Sequence, residues 1–151
     1  MVIPAYQDPY VQKTIDSLLE NAQGKIEIIA VLDGYSLKRP LKTDKRVKLI
    51  QFSQNRGMRA AINAGLAKAR GKFIMKCDAH CAFGPGFDQI LTRNCSEDWL
   101  VVPRRYSLDE INWTKDVRRP IRDYHFLSFP TESKYGVGFS IGDWIDVTDR
   151  R

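Results

Sequence analysis

The sequence has no apolar run approaching the roughly 20 residues that a membrane-spanning helix needs. Its start, Met1-Val2-Ile3-Pro4, has no basic region followed by a long apolar segment, so no signal peptide is expected there. Cysteine is scarce and odd in number, three in all, which argues against a disulfide framework and for a reducing compartment. No internal repeat or low-complexity segment is present, which excludes solenoids and compositional linkers. What remains is an ordinary globular composition, for which a cytoplasmic location is expected, with any membrane association through regions outside this chain. The net charge of +6 favours anionic partners: nucleotides, phosphosugars, nucleic acid or acidic membrane surfaces.

The elements follow from periodicity. Residues 2–4 look like the tail of a strand, with Pro4 keeping Ile3 extended. Asp8-Pro9 offers a helix cap followed by proline at the first helical position. Val11, Ile15, Leu18, Leu19 and Ala22 continue with helical spacing, and Gly24 supplies the stop. Residues 26–32 are almost wholly apolar and rich in β-branched side chains, as in a strand buried on both faces. That strand ends in Asp33-Gly34. Residues 38–48 form a basic connection expected to be exposed, and 47–52 form the next strand.

Asn55-Arg56-Gly57 opens a helix with an apolar face of Met58, Ala61, Ile62, Gly65, Leu66 and Ala69. The small residues Ala61 and Gly65 would let it lie close to a sheet. A buried strand is expected at 72–77, a short helix at 87–93 after Gly84-Pro85-Gly86, and a strand at 99–103. The order β-α-β-β-α-β-α-β predicts an α/β class: a mostly parallel sheet flanked by helices over residues 1–103. Residues 104–151 are charge-dense and irregular, with a glycine-weakened strand at 135–141. They are expected to be the start of a further region, incomplete in this chain.

The strand at 72–77 leads into Asp78-Ala79-His80. Residues i and i+2 of an extended chain point to the same side, so the two side chains can converge beyond a strand's carboxyl end. A hard oxygen donor beside a borderline nitrogen donor suits a divalent cation such as manganese, which can hold a diphosphate. Taken alone, the pair reads more readily as a polar turn, with His80 satisfied by a backbone carbonyl.

Three features stand at the ends of successive strands: Pro4-Ala5-Tyr6, Asp33-Gly34 and Asp78-Ala79-His80. With Asn55-Arg56-Gly57 and Asn63-Ala64-Gly65 between the last two, residues 1–103 resemble the nucleotide-sugar-binding half of a GT-A glycosyltransferase, most closely family 2. The fold so implied is a Rossmann-like GT-A layer with its acceptor half incomplete. Leu32 departs from the aspartate pair usual in that family. The Asp-X-His form of the metal motif resembles that of polypeptide N-acetylgalactosaminyltransferases, and Cys81 and Gly86-Phe87 fit that variant.

The resemblance implies transfer of a hexosyl or N-acetylhexosaminyl group from a nucleotide-diphosphate sugar, a UDP-sugar above all, to a glycan, lipid or protein acceptor. No nucleic acid beyond the nucleotide is expected. Pro4, Ala5 and Tyr6 would line the base pocket, and Asp33 would accept from the uracil N3–H. Arg56, Arg59 and Asp78 would serve the diphosphate, and Asp78 with His80 would hold Mn²⁺ or Mg²⁺.

Each position also has a plainer reading. Asp33-Gly34 fits a turn, Tyr6 fits loop or core packing, and Arg56 and Arg59 fit solvated helix positions. No catalytic base is assignable: neither the pair Asp109-Glu110 nor Asp116, Asp123, Glu132, Asp143, Asp146 or Asp149 lies in the family's context. His125 is the only other histidine, and nothing places it near the motif.

Three other functions compete. A sugar-phosphate nucleotidyltransferase would need a glycine-rich loop after the first strand, and Ala5-Tyr6-Gln7-Asp8-Pro9 has no glycine. A non-enzymatic zinc or nucleic-acid module would use Cys77, His80, Cys81 and Cys95. A non-catalytic remnant would keep the fold alone.

Overall fold

A computed structural model describes residues 1–93, 95–119, 121, 127–133 and 136–141. The chain divides into two compact units, Met1–Asn94 and Cys95–Arg151.

In the first unit a parallel sheet forms from β1 (Val2–Ala5), β2 (Ile28–Leu32) and β3 (Val47–Gln51), in the order β1-β2-β3. Val2 lies opposite Ile29, and Ile28 opposite Val47. All five residues of β2 are buried. Ile28, Ala30 and Leu32 pack with Ile3, Ala5 and the apolar stripe of α1 (Val11–Asn21). Ile29 and Val31 pack instead with Ala61 of α2 (Met58–Leu66). The period-two alternation thus fills both faces of the central strand, one under each helix. This is the Rossmann-like α/β layer of a GT-A domain.

Three expectations for the first unit need correction. Helix α1 begins at Val11, after a turn over Pro9 and Tyr10; the Asp8 carboxylate accepts from Tyr10 N at 2.8 Å, a cap-like bond that closes this turn ahead of the helix. On α2, Met58 and Leu66 are exposed, and the fully buried stripe narrows to Ala61 and Gly65. The close approach itself is present: a Cβ on Gly65 would lie 2.4 Å from Val2 Cγ1.

The third concerns residues 72–77. The expected buried strand is a single parallel bridge between Val2 and Lys76, and Phe73 and Ile74 are exposed. Val2 N donates to Met75 O at 2.8 Å, and Cys77 N to Val2 O at 3.2 Å. The carbonyls of Met1 and Ala5 accept from Ile29 N of β2 and from Asp33 N just after it, so Val2 and Pro4 face the outer edge. Pro4 has no N–H with which to carry the ladder further.

The helix expected at 87–93 is α3 (Phe87–Arg93).

In the second unit, β4 (Leu108–Asp109) and β5 (Thr114–Lys115) form a short antiparallel hairpin. β6 (Leu127–Ser133) pairs antiparallel with β7 (Gly136–Ile141). The strand expected at 135–141 is β7, with Tyr135 outside the described residues. The strand expected at 99–103 is absent: those residues have no ladder partner among the described residues, and Leu100 is 91% exposed. No helix among the described residues is long and apolar enough to cross a membrane.

Candidate functional site

Parallel strands send their carboxyl ends to one edge of a sheet. Tyr6 follows β1, Asp33 follows β2, and Asp78 follows the bridge at Lys76, which is also parallel. The three therefore leave the same edge of the first unit, where open α/β sheets bind ligands.

Asp33 is 2% exposed and bonded to the loop that precedes α2. Its Oδ1 accepts from Arg56 N at 2.7 Å, while Oδ2 accepts from Asn55 Nδ2 at 3.0 Å and Gly57 N at 2.9 Å. Gly34 makes the contact feasible: at φ +75° a Cβ there would lie 2.0 Å from Asn55 N. Asp33-Gly34 is therefore a clamp between two loops, more than a turn.

The other expected donor residues are placed unequally. Ala5 is buried in the core, and its carbonyl accepts from Asp33 N at 2.8 Å, so only its backbone reaches the edge. Pro4 is half-buried. Tyr6 is 53% exposed and meets Tyr35 edge-on at 6.4 Å between centroids, which sets core packing aside. Gln7, immediately after it, has φ +51°, a turn conformation uncommon for a residue with a side chain. The Arg56 guanidinium lies 5.0 Å over the Phe52 ring, and Arg59 is exposed on the first turn of α2.

Helix α1 acts as the template for the segment carrying Asp78-Ala79-His80. Thr14 Oγ1 donates to Ala79 O at 2.7 Å and accepts from Cys81 N at 2.9 Å. Ser17 Oγ accepts from Phe83 N at 2.9 Å, and Asn21 O from Gly86 N at 2.8 Å. Asp88 then accepts from the amides of Gln23 and Gly24. Burial alone would raise the Asp88 carboxyl, but these amides outweigh it and the value is lowered.

Asp78 is exposed and pairs with Lys76. His80 does not find a backbone carbonyl. Its Nδ1 lies 2.7 Å from Asp8 Oδ2. Asp8, Thr14 and Ser17 were absent from the expected site. A signal for the latter two was available, since a buried hydroxyl on an apolar helix stripe requires a partner.

Among the described residues no three His, Cys, Asp or Glu side chains form a metal-holding group. Cys77 is buried, and burial pushes its thiol, like that of Cys81, up and away from the thiolate a zinc site requires. An open groove of about 430 Å³ runs along β3 between Ser36, Leu41 and Gln51, lined by none of the expected donor residues. The basic connection beside it is tied down: Lys42 pairs with Asp16 at 2.7 Å and Arg46 with Asp44 at 2.9 Å, while Leu37 and Leu41 pack on the core.

Two of the carboxylates weighed as bases are committed elsewhere within the second unit. Asp109 accepts from Asn112 and Ile111, and Asp116 from Arg118, with Arg119 nearby. The Asn112 amide and the Arg118 guanidinium respectively hold their carboxyls below the usual range, which weakens both as bases. Asp123, His125, Asp143, Asp146 and Asp149 lie outside the described residues, as does the side chain of Glu132.

A parallel α/β layer with polar residues gathered at its carboxyl edge has the arrangement in which open α/β sheets bind ligands. The profile of Glycosyl transferase family 2 matches residues 1–142, and the chain belongs to that family. It is 31% identical over 107 residues to the uncharacterized glycosyltransferase EpsJ of Bacillus subtilis strain 168, covering 66% of this chain and 31% of EpsJ. The putative glycosyltransferase CsbB of the same organism is 30% identical over 124 residues, 67% of this chain and 38% of CsbB. An uncharacterized glycosyltransferase of Haemophilus influenzae is 34% identical over 86 residues, 52% of this chain and 34% of that protein. The matches span about a third of the length of these relatives.

Proposed function

We propose that this chain is the donor-binding part of a metal-assisted glycosyltransferase, taking a nucleotide-diphosphate sugar, with UDP as the nucleotide. The observation that carries the reading is the emergence of Tyr6, Asp33 and Asp78 at one edge of a parallel sheet. Family membership supports sugar transfer as the chemistry. The Asp-X-His motif, like that of polypeptide N-acetylgalactosaminyltransferases, favours a hexosyl or N-acetylhexosaminyl group. The acceptor and the base that activates it are assigned to the region beyond the first unit.

In this reading Tyr6 presents its exposed ring to the nucleobase. Asp33 uses three of the roughly four acceptor positions of a carboxylate on the Asn55–Gly57 loop, leaving one for the uracil N3–H. The clamp also holds Arg56 and Arg59 at the mouth of α2, where their charge meets the diphosphate.

Asp78 and His80 fit Mn²⁺ or Mg²⁺ as two exposed ligands, the diphosphate oxygens supplying others. The Asp8 contact occupies Nδ1 of His80 and leaves Nε2 open. Lys76 pairs with the Asp78 carboxylate at the same edge, where Asp78 would serve as a ligand to the ion. When bound, the ion supplies Lewis-acid stabilisation of the leaving nucleotide.

Calorimetric titration of UDP into the chain, with manganese and with chelator, tests the reading. Manganese-dependent binding lost in Asp78→Ala is expected. Absence of binding in a folded sample overturns the donor-site assignment.

A further inference from the structure

We propose that Asp8 is a positioning residue that fixes the tautomer and orientation of His80, so that Nε2 is the nitrogen offered to the cation. This rests on the donor-site reading above and goes beyond it to a residue outside the Asp78-Ala79-His80 motif.

The argument starts from donors and acceptors. An ionised carboxylate oxygen only accepts, so the 2.7 Å contact between Asp8 Oδ2 and His80 Nδ1 requires the proton to sit on Nδ1. In the neutral ring the lone pair then belongs to Nε2. The exposures are unequal in the sense this needs: the Asp8 side chain is 14% exposed and the His80 side chain 50%. The carboxylate is the anchored partner and the imidazole the presented one.

Asp8 is itself fixed. Its Oδ1 accepts from Tyr10 N at 2.8 Å, and its backbone carbonyl accepts from the Tyr35 hydroxyl at 3.4 Å. His80 is fixed on both flanks, because Thr14 holds Ala79 O and Cys81 N. The backbone around His80 is thus set by α1, and its ring by the turn that precedes α1. A metal-binding histidine commonly donates its other ring N–H to a carboxylate, and losing that partner costs about 10- to 100-fold in metal affinity.

The variant Asp8→Asn keeps size and an acceptor for Tyr10 N, but it places an amide N–H₂ toward Nδ1 and favours the Nε2–H tautomer. Two readouts decide the matter. The first is the ring ¹⁵N spectrum of the metal-free full chain at a pH where the imidazole is neutral, with His80 distinguished from His125 by His80→Ala. The second is manganese affinity, followed by loss of the free-ion electron paramagnetic resonance signal, with and without UDP.

The Nδ1–H tautomer is expected in the unaltered protein and Nε2–H in Asp8→Asn, with manganese affinity falling about tenfold or more. An Nε2–H tautomer in the unaltered protein overturns the proposal. So does an Asp8→Asn protein that loses thermal stability and keeps its manganese affinity, the result of a purely structural ion pair. If Asp78→Ala and His80→Ala weaken manganese binding and Asp8→Asn does not, this proposal alone fails. If neither of the first two weakens it, the donor-site reading fails as well.

Discussion

At the scale of single residues, Asp33 shows how one buried carboxylate organises an edge of the sheet. Three donors from the Asn55–Gly57 loop converge on it, two of them backbone amides. Asp33→Asn leaves a single amide oxygen for those three donors and turns an N–H₂ group toward them. A loss of about 2 kcal/mol in urea denaturation is expected, in the range of hydrogen bonds to charged groups. A loss below about 0.5 kcal/mol, the level of an uninvolved surface change, would contradict the clamp.

The position of Asp33 was legible from the strand before it, because a run of buried β-branched residues must end where polarity begins. Its partners were not legible. Nothing local to residues 55–57 indicates that their amides face a carboxylate 22 to 24 residues away.

At the scale of elements, the contact of α2 with β1 depends on the missing side chain of Gly65. Val2 is 1% exposed and β-branched, so it has little freedom to yield to a new methyl group 2.4 Å away. Gly65→Ala is expected to destabilise by about 1–2 kcal/mol, the overpacking term exceeding the gain in helix propensity. In the double variant with Val2→Ala the two changes should compensate, giving a favourable coupling in a thermal double-mutant cycle. Additive losses would show that α2 rests elsewhere.

The helices α1 and α2 and the strands β1 and β2 were visible in the sequence, since each buries a continuous face, whereas β3, only half-buried or exposed, was legible from its apolar residues Val47, Leu49 and Ile50. Residues 72–77 and 99–103 were not, because an apolar run does not specify whether a neighbour offers it donors. Pro4 withholds one from the first of these, and the second has no ladder partner among the described residues.

At the scale of the whole molecule, several carboxylates are held in their charged form. The Lys48 ammonium, with the Arg70 backbone amide, holds the Glu27 carboxyl down at about 2 from an ordinary 4.5, and Arg46 holds Asp44 at about 2. A carboxylate depressed in the folded state contributes stability that is present above its unfolded value. That contribution is lost as pH falls through the folded value. The thermal midpoint is therefore expected to decline as pH is lowered from about 4.5 towards 2. Glu27→Gln should lower it by an amount corresponding to about 1 kcal/mol near neutrality and flatten the acid limb. An unchanged acid limb would remove Glu27 from the balance.

The docking of residues 79–88 on α1 has a consequence for how the chain reaches its native state. The bonds that seat this segment, from Asp8, Thr14, Ser17 and the amides of Gln23 and Gly24, close loops of 64 to 72 residues. Because closing a longer loop costs more chain entropy than pairing β1, β2 and β3, this docking is expected to follow the sheet in refolding, a sequence that pulsed hydrogen exchange of the Cys81 and Phe83 amides against those of β2 would check. The Asp78-Ala79-His80 segment is thus expected to acquire its geometry late in folding. Cys77, Ala79 and Phe87 of residues 77–88 join the core at the same step.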